Sequence, residues 1–235
     1  RVLYSKNIDK NLKTLGLSEN IYDILVENLH INSGLILISG PTGSGKTTTL
    51  YSILKELNSE DKKIITIEDP VEYKIASINQ IPVNSKIGLS FELALKDILR
   101  QDPDIIFIGE IRDKFSLDIA LQASLTGHLV LASIHANSSL DTITRLLDLK
   151  ADPFLIATSL KLVMAQRLVL NYCKCCDLKG CNLCNYTKYY DRSSIAEILK
   201  VDEKIANLIF KKSSKQEFKT YLESINFKTL KNDGE

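Results

Sequence analysis

The sequence predicts an α/β fold with a mostly parallel central sheet. Short apolar runs rich in β-branched residues alternate with segments of helical periodicity, which is the pattern of βαβ units. The run Leu35–Ser39 leads directly into a glycine-rich turn and then into a segment with helical character. The composition suits such a domain, because 44% of the 235 residues are hydrophobic and 25% are charged.

Composition also excludes several classes of protein. No apolar run approaches the length of a membrane span, and no secretory signal peptide is visible. The net charge of +1 argues against a strongly basic nucleic-acid binder, although it is compatible with a local basic patch. All five cysteines lie between Cys173 and Cys184, which indicates a metal site in a reducing compartment rather than disulfide bonds. Because the first residues have the character of a strand interior, we expect the chain to begin within a longer protein.

The glycine-rich turn has the pattern G-x-x-x-x-G-K-T at Gly40–Thr47. Such a loop wraps its backbone N–H groups around phosphates, and the helix that follows adds the positive end of its dipole. Lys46 would reach the β- and γ-phosphates, and the Thr47 hydroxyl would ligate Mg²⁺. The residues expected to bind a nucleotide are Gly40, Pro41, Thr42, Gly43, Ser44, Gly45, Lys46, Thr47 and Thr48.

Helical and strand segments alternate along most of the remaining chain. Helices are identified by apolar residues at three- and four-residue spacing, and strands by short β-branched runs. Residues 73–88 alternate apolar and polar side chains, a pattern consistent with an antiparallel ribbon or with irregular strands. The other expected elements are, in order, a strand at Val2–Tyr4, a helix after Ser18, a strand at Leu35–Ser39, a helix at Thr47–Leu57, a strand at Lys63–Glu68, a helix at Ser90–Leu99, a strand at Asp104–Glu110, a helix at Asp113–Leu125, a strand at His128–His135, a helix at Ser138–Leu149 and a helix from Asp152 to about Val169.

Capping residues and prolines set several of these boundaries. Ser18 suits an N-cap, and Ser138 with Asp141 three residues later resembles a capping box. Pro103 breaks the helix that begins at Ser90. Asp152 followed by a proline is typical of a helix start.

Polar side chains end the predicted strands beside the glycine-rich turn. Glu68, Glu110 and His135 each end a strand, and ligands of parallel sheets bind at the carboxyl ends of the strands. Glu110 would hold Mg²⁺ through water or orient the attacking water, and Glu68 is a second candidate for activating water. His135 would contact a γ-phosphate, and Arg112 would pair with an acid or with phosphate. The alternative is that these side chains are ordinary turn residues. His128 precedes its strand, which puts it near the opposite edge of the sheet or near a subunit boundary.

The cysteines have the spacing of two zinc knuckles, with Cys173 paired to Cys176 and Cys181 paired to Cys184. Four thiolates in tetrahedral geometry would form a closed structural site with no open catalytic position. Cys175 is left over, so a shifted pairing stays open, as does a metal-free cysteine cluster. The segment between the knuckles is short, which predicts a stub rather than a protruding subdomain.

Four ordered segments resemble motifs of the type II secretion and type IV pilus assembly ATPases: GPTGSGKTTTLY, ITIEDPVEY, LRQDPDIIFIGEIRD and TGHLVLASIHAN. In that family they are called Walker A, the Asp box, an atypical Walker B and the His box. The resemblance runs from about Leu15 to Leu199 and implies a RecA-like P-loop NTPase motor domain. Gly109 stands at the usual Walker B aspartate position and the carboxylate follows at Glu110, a shift that is typical of the family.

The resemblance implies a hexameric motor on the cytoplasmic face of an inner membrane, where it hydrolyses ATP to drive the addition of pilins or pseudopilins. Inner-membrane platform proteins and cytoplasmic adaptor proteins would be its partners. Carried over by position, Lys46 and Thr47 bind phosphate and Mg²⁺, Glu110 is the catalytic carboxylate, Glu68 is an Asp-box acid and His135 reports the nucleotide state. Arg112, Arg145 and Arg167 match family arginines of less defined role.

The resemblance also implies how the chain is divided. Residues 1–17 would be the remnant of a PAS-like domain and its linker, and residues 18–171 the RecA-like core. Residues 172–190 would form the tetracysteine zinc stub, and residues 191–235 a C-terminal helical segment with two amphipathic helices at 202–225. Lys188 and Asp191 replace residues that are usually glycine, so we expect a different turn there. A lone motor domain is expected to bind ATP but to hydrolyse it poorly, because in the family the PAS-like domain closes over a neighbour's nucleotide and supplies arginines in trans.

Two other functions are compatible with a RecA-like core. The first is a nucleic-acid translocase or helicase, but the sequence lacks the aromatic and basic stacking groove that binders of single strands use. The second is a nucleotide-binding regulator that does not hydrolyse its ligand. The order of the four motifs favours the motor ATPase, and the missing groove argues against nucleic acid as a partner.

Overall fold

The computed structural model describes residues 11–84 and 88–234. In this part of the chain a single seven-stranded sheet forms the centre of the molecule. Its strands are β1 (Gly34–Ser39), β2 (Ile64–Glu68), β3 (Asn79–Pro82), β4 (Ile105–Ile108), β5 (Leu129–Ile134), β6 (Leu160–Tyr172) and β7 (Tyr189–Lys200). They lie in the order β3-β2-β4-β5-β1-β6-β7, and every neighbouring pair is parallel except β6 with β7.

Helices cover both faces of the sheet. All six residues of β1 are buried, as expected for a parallel strand between two helical layers. Leu35 and Leu37 face one apolar core, whereas Ile36 and Ile38 face the other. Helices α1 (Glu19–Leu29) and α2 (Lys46–Leu57) pack on the second face. The first face is covered by α3 (Phe91–Ile98), α4 (Lys114–Leu125), α5 (Ser139–Asp148), α6 (Pro153–Ser159), α7 (Glu203–Phe210) and α8 (Lys215–Ser224).

A short last helix, α9 (Leu230–Gly234), packs against β7. The carboxylate of Asp233 accepts a hydrogen bond from the backbone N–H of Ala196 at 2.8 Å. Within residues 11–84 and 88–234, no helix has the combination of length and apolar sequence that crossing a bilayer requires.

Most predicted elements are confirmed, and so are several of their boundaries. The side chains of Ser90 and Ser138 accept hydrogen bonds from the backbones of Leu93 and Asp141, which begins α3 and α5 as expected. Ser18 precedes α1 but its side chain makes no such bond. The predicted strand at Val2–Tyr4 lies outside the described residues.

The predicted helix from Asp152 to about Val169 is wrong in its second half. Helix α6 ends at Ser159, and the chain continues as the 13-residue strand β6. This strand pairs with β1 on one side and β7 on the other, so both of its edges are hydrogen-bonded. An apolar run that is buried on both faces looks alike as helix or strand in sequence, and the pairing with neighbouring strands decides its conformation.

Of the two interpretations of residues 73–88, the antiparallel ribbon is wrong and irregular strands fit, as far as the described residues 73–84 and 88 show. These residues contribute one short strand, β3, which pairs in parallel with β2. A single antiparallel bridge joins Asn84 to Leu89.

The C-terminal region begins with β7, so its first ten residues form a strand rather than helix. The two amphipathic helices expected at 202–225 are confirmed as α7 and α8. The division of the chain into four segments stays a prediction.

Lys188 and Asp191 have left-handed backbone conformations, with φ of 70° and 66°. The family usually has glycine at these two positions. In this chain the residues are not glycine, but the backbone keeps the positive φ that glycine adopts most easily. At Asp191 a hydrogen bond offsets part of the conformational free energy that a left-handed backbone costs. Its carboxylate accepts this bond from the backbone N–H of Arg192 at 2.8 Å. Lys188 has an exposed side chain that cannot form such a local bond.

Replacing Lys188 by glycine is therefore expected to raise the free energy of unfolding by about 0.5 to 1 kcal/mol. The gain comes from removing a Cβ atom at positive φ. Urea unfolding of Lys188→Gly and wild type measures it. Lys188→Ala is the matched control, because it also loses the charged side chain but keeps the Cβ atom and should bring no gain. Equal effects of the two substitutions would contradict this explanation.

Candidate functional site

The order of strands brings the predicted polar residues to one edge of the sheet. Strand β5 lies between β1 and β4, and β2 lies on the far side of β4. Because these strands are parallel, their carboxyl ends meet at this edge. Glu68, Glu110 and His135 therefore follow one another along the edge, beside the glycine-rich loop after β1.

The loop backbone lies so close to its surroundings that two of its glycines have no room for a side chain. A Cβ atom on Gly40 would lie 2.4 Å from Ser44 Oγ and 2.6 Å from the backbone oxygen of Gln166. A Cβ atom on Gly45 would lie 2.8 Å from Gln166 Nε2. Both glycines also have positive φ, so any other residue would be strained at these positions.

The loop presents a cation and an unsatisfied polar atom. Lys46 Nζ donates to the backbone oxygens of Gly40, at 2.8 Å, and Pro41, at 3.0 Å. Burial lowers the pKa of Lys46 below its usual range, the charge of Glu110 opposes this, and the charge of Arg167 adds to it. Ser44 Oγ is buried without a hydrogen-bond partner among the described residues. A close-packed backbone, an ammonium group and a free hydroxyl fit a phosphate group.

Glu110, Arg112 and His135 form a hydrogen-bonded cluster. Arg112 Nε donates to Glu110 Oε2 at 2.5 Å, and His135 Nε2 lies 2.8 Å from Glu110 Oε1. The hydrogen bond with Glu110 raises the pKa of Arg112 above its usual range. The guanidinium is also 3.8 Å from the carboxylate of Asp69. The structure thus brings these three predicted residues together, and their roles stay predictions.

Glu68 has a different environment, because only 3% of it is exposed. Its Oε1 accepts hydrogen bonds from Thr66 Oγ1 at 2.7 Å and from Gln80 Nε2 at 3.1 Å, and its Oε2 accepts one from the hydroxyl of Tyr51. Burial and this hydrogen bond raise the pKa of Tyr51 above its usual range. Glu68 is therefore more enclosed by protein than Glu110, whose side chain is 20% exposed.

A cavity of about 650 Å³ joins these groups, which is large enough for a nucleotide. Thr47 and Glu110, the predicted ligands of Mg²⁺, both line it. A hydroxyl and a carboxylate are the oxygen ligands that Mg²⁺ prefers, so the residues present fit this ion. The lining includes Lys46, Thr47, Glu68, Glu110, Arg112 and His135.

Other predicted residues lie apart from this cavity. Arg145 is exposed on α5. Arg167 lies on β6 and donates to the backbone oxygen of Asn137 at 2.8 Å, so it holds the segment that follows His135. His128 is at the opposite edge of the sheet, as predicted, with Nδ1 3.0 Å from the backbone oxygen of Ala123.

Three polar residues that support the site are not evident from the sequence, namely Tyr51, Gln80 and Gln166. Each of them is bonded to a site residue that is distant in sequence, so no local spacing reveals them. The sequence offers one signal, which is a glutamine within the apolar run of β6. It indicates a buried, hydrogen-bonded side chain only if that run is recognised as a buried strand.

The four cysteines of the two knuckles form a separate cluster at the end of the β6–β7 hairpin. Their Sγ atoms all lie within 4.8 Å of one another, and three pairs are 3.8 Å apart: Cys173 with Cys181, Cys176 with Cys184, and Cys181 with Cys184. Tetrahedral zinc with Zn–S bonds of about 2.3 Å requires sulfurs about 3.8 Å apart. The geometry therefore fits zinc. Cys175 is exposed and outside the cluster, which excludes the shifted pairing.

The parallel sheet, the phosphate-type loop and the acidic strand ends define a RecA-like fold of the P-loop NTPase class, with a tetracysteine knob. A family model described as type II/IV secretion system protein matches residues 1–235. The chain belongs to this family, as its four ordered motifs predict.

Individual relatives agree with this membership. The chain is 44% identical over 232 residues to the type II secretion system protein HxcR of Pseudomonas aeruginosa, covering 95% of the chain and 50% of HxcR. It is 39% identical over 261 residues to the type IV pilus assembly ATPase PilB of Thermus thermophilus, covering 100% of the chain and 29% of PilB. The chain thus spans half or less of the length of these two relatives.

A solved structure of the pilus retraction motor PilT with bound ADP is similar in fold. It superposes with a TM-score of 0.75 at 32% sequence identity, over 94% of this chain and 61% of PilT.

Proposed function

We propose that this chain is the ATP-hydrolysing motor domain of a machine that assembles pilins or pseudopilins, in type II secretion, a type IV pilus or DNA uptake. The observation that carries the proposal is the cluster of Glu110, Arg112 and His135 in the same cavity as Lys46. The names of the relatives support the assembly role, and the ADP bound to PilT supports an adenine nucleotide as ligand.

In the proposed mechanism, the loop N–H groups and Lys46 bind the phosphates. Lys46 exchanges its bonds to the loop oxygens for bonds to phosphate, and Ser44 Oγ gains a partner. Glu110 orients the attacking water and accepts its proton. Because His135 is bonded to Glu110, it is placed to respond when the γ-phosphate leaves. Mg²⁺, held by Thr47 and Glu110, would neutralise charge on the phosphates.

The proposal extends to assembly and location. We infer a homo-hexamer in which arginines from neighbouring subunits complete each site, since Arg145 and Arg167 lie outside the cavity lining and Arg112 is already paired with Glu110. The hexamer would lie in the cytoplasm, peripheral to the inner membrane, where platform and adaptor proteins of the machine bind it. The cysteine cluster would hold structural zinc.

The proposal is tested by measuring ATP binding calorimetrically and phosphate release under single-turnover conditions with Mg²⁺. We expect ATP to bind with a Kd between about 1 μM and 1 mM, and phosphate release to be slow but measurable. Single-stranded DNA should leave the rate unchanged. Strong stimulation by DNA would favour a translocase instead, and ATP binding with no release in the assembled hexamer would favour a regulator.

A further inference from the structure

Gln166 is a buried residue of β6 whose side chain contacts the phosphate-type loop. Only 1% of it is exposed. Its Nε2 donates to the backbone oxygen of Ser44 in the loop at 3.0 Å, and its Oε1 accepts from Thr49 Oγ1 on α2 at 2.8 Å. One side chain therefore connects the loop with the helix that follows it.

The orientation of this amide is fixed by its partners. The carbonyl of Ser44 can only accept a hydrogen bond, so it requires the NH₂ end of the Gln166 amide. Ser194 Oγ on β7 lies 3.2 Å from the same Nε2 and holds the amide from the other strand. Gly40 and Gly45 pack so closely on Gln166 that neither position admits a Cβ atom.

The bond to Ser44 also orients a donor of the loop. In a planar trans peptide the C=O and the following N–H point in opposite directions. When the Ser44 carbonyl is bonded to Gln166, the N–H of Gly45 is directed away from β6. In this type of loop the backbone N–H groups must converge on the phosphates. Without this bond the Ser44–Gly45 peptide would be free to rotate, because glycine permits both signs of φ.

We propose that Gln166 is a positioning residue that holds the phosphate loop in its phosphate-binding conformation. The inference rests on the proposed function, since it requires the loop to bind the phosphates of a nucleotide. Gln166 does not touch the ligand in this proposal, and it acts through the peptide between Ser44 and Gly45.

The test is the affinity of Gln166→Met for ATP and for AMP, measured by calorimetry. Methionine has a similar volume but cannot donate to the Ser44 carbonyl. The affinity for ATP should fall about tenfold, because one buried hydrogen bond is lost and a carbonyl is left unpaired. The affinity for AMP should change little, because AMP lacks the β- and γ-phosphates that the loop binds. Thermal unfolding verifies that the variant is folded.

A matched pair of threonine variants separates this role from general destabilisation. Thr49→Val removes a hydroxyl that is hydrogen-bonded to Gln166. Thr142→Val removes a hydroxyl on α5 that is hydrogen-bonded to the backbone oxygen of Ser138 and has no contact with Gln166 among these bonds. Both threonines are fully buried. Thr49→Val should weaken ATP binding by a few-fold, and Thr142→Val should not.

Two results would overturn the inference while leaving the proposed function intact. One is an ATP affinity of Gln166→Met within twofold of wild type, and the other is an equal loss of ATP and AMP affinity. If instead wild type and Lys46→Ala bind ATP equally well, the loop is not a phosphate site, and both the proposed function and this inference fail.

Discussion

Replacing Glu110 by glutamine is expected to slow ATP hydrolysis by about a hundredfold or more while leaving ATP affinity nearly unchanged. Glutamine keeps the shape of the side chain but cannot accept a proton from the attacking water. The amide also loses the charged pairing with Arg112, whose Nε is 2.5 Å from Glu110 Oε2, and the negative charge beside His135. Single-turnover phosphate release and calorimetric binding measure the two effects separately.

Two control variants distinguish a loss of hydrolysis at Glu110 from a loss of ATP binding and from a general effect of removing a carboxylate. Lys46→Ala should lose ATP binding itself, because it removes the ammonium group of the loop. Glu27→Gln changes an exposed carboxylate on α1 that pairs with Lys200, so it should alter neither binding nor hydrolysis. If Glu110→Gln hydrolyses ATP at the wild-type rate, another group is the base, and Glu68 is the next candidate to substitute.

Zinc is expected in the purified protein at about one ion per chain, and its removal should unfold the segment from Cys173 to Cys184. Most residues between the four ligands are exposed, so this segment has little apolar core of its own. Metal binding then supplies most of its folding free energy, about 10 kcal/mol or more in small zinc modules. Elemental analysis measures the metal, and thermal unfolding with and without a chelator measures the stability.

Cysteine variants test the ligand assignment. Cys184→Ser should lower the zinc content to near zero, because Cys184 is a buried member of the cluster. Cys175→Ser is the matched control, since Cys175 is exposed and outside the cluster, and it should retain the metal. A wild-type protein that is folded and free of metal would contradict the zinc assignment and support a reduced cysteine cluster.

The residue placements that the sequence predicts and the structure shows depend on local patterns. Gly40–Thr47 is a contiguous motif. Its glycines stand where the backbone has positive φ or no room for a Cβ atom. The meeting of Glu110 with His135 follows from a topological rule, since both residues end strands of one parallel sheet. Neither inference requires knowledge of side-chain packing.

The parts that the sequence does not predict depend on contacts between distant segments. β6 is mistaken for helix because an apolar run buried on both faces carries no distinctive period. That error also hides Gln166, whose partners Ser44 and Thr49 are more than a hundred residues away. The burial of Glu68 is likewise set by Tyr51 and Gln80, which approach it only in the folded sheet.

The length of β6 has a mechanical consequence for the cysteine cluster. β6 and β7 are paired from Leu162 with Lys200 to Tyr172 with Tyr189, with one shift of register between Leu170 and Tyr172, and the cluster follows immediately at Cys173. Gln166 lies in the same ribbon, roughly 20 Å along the strand from the cluster. The cluster and the strand that contacts the phosphate loop are therefore joined by one paired ribbon, along which we expect a displacement of the cluster to reach β6 at Gln166.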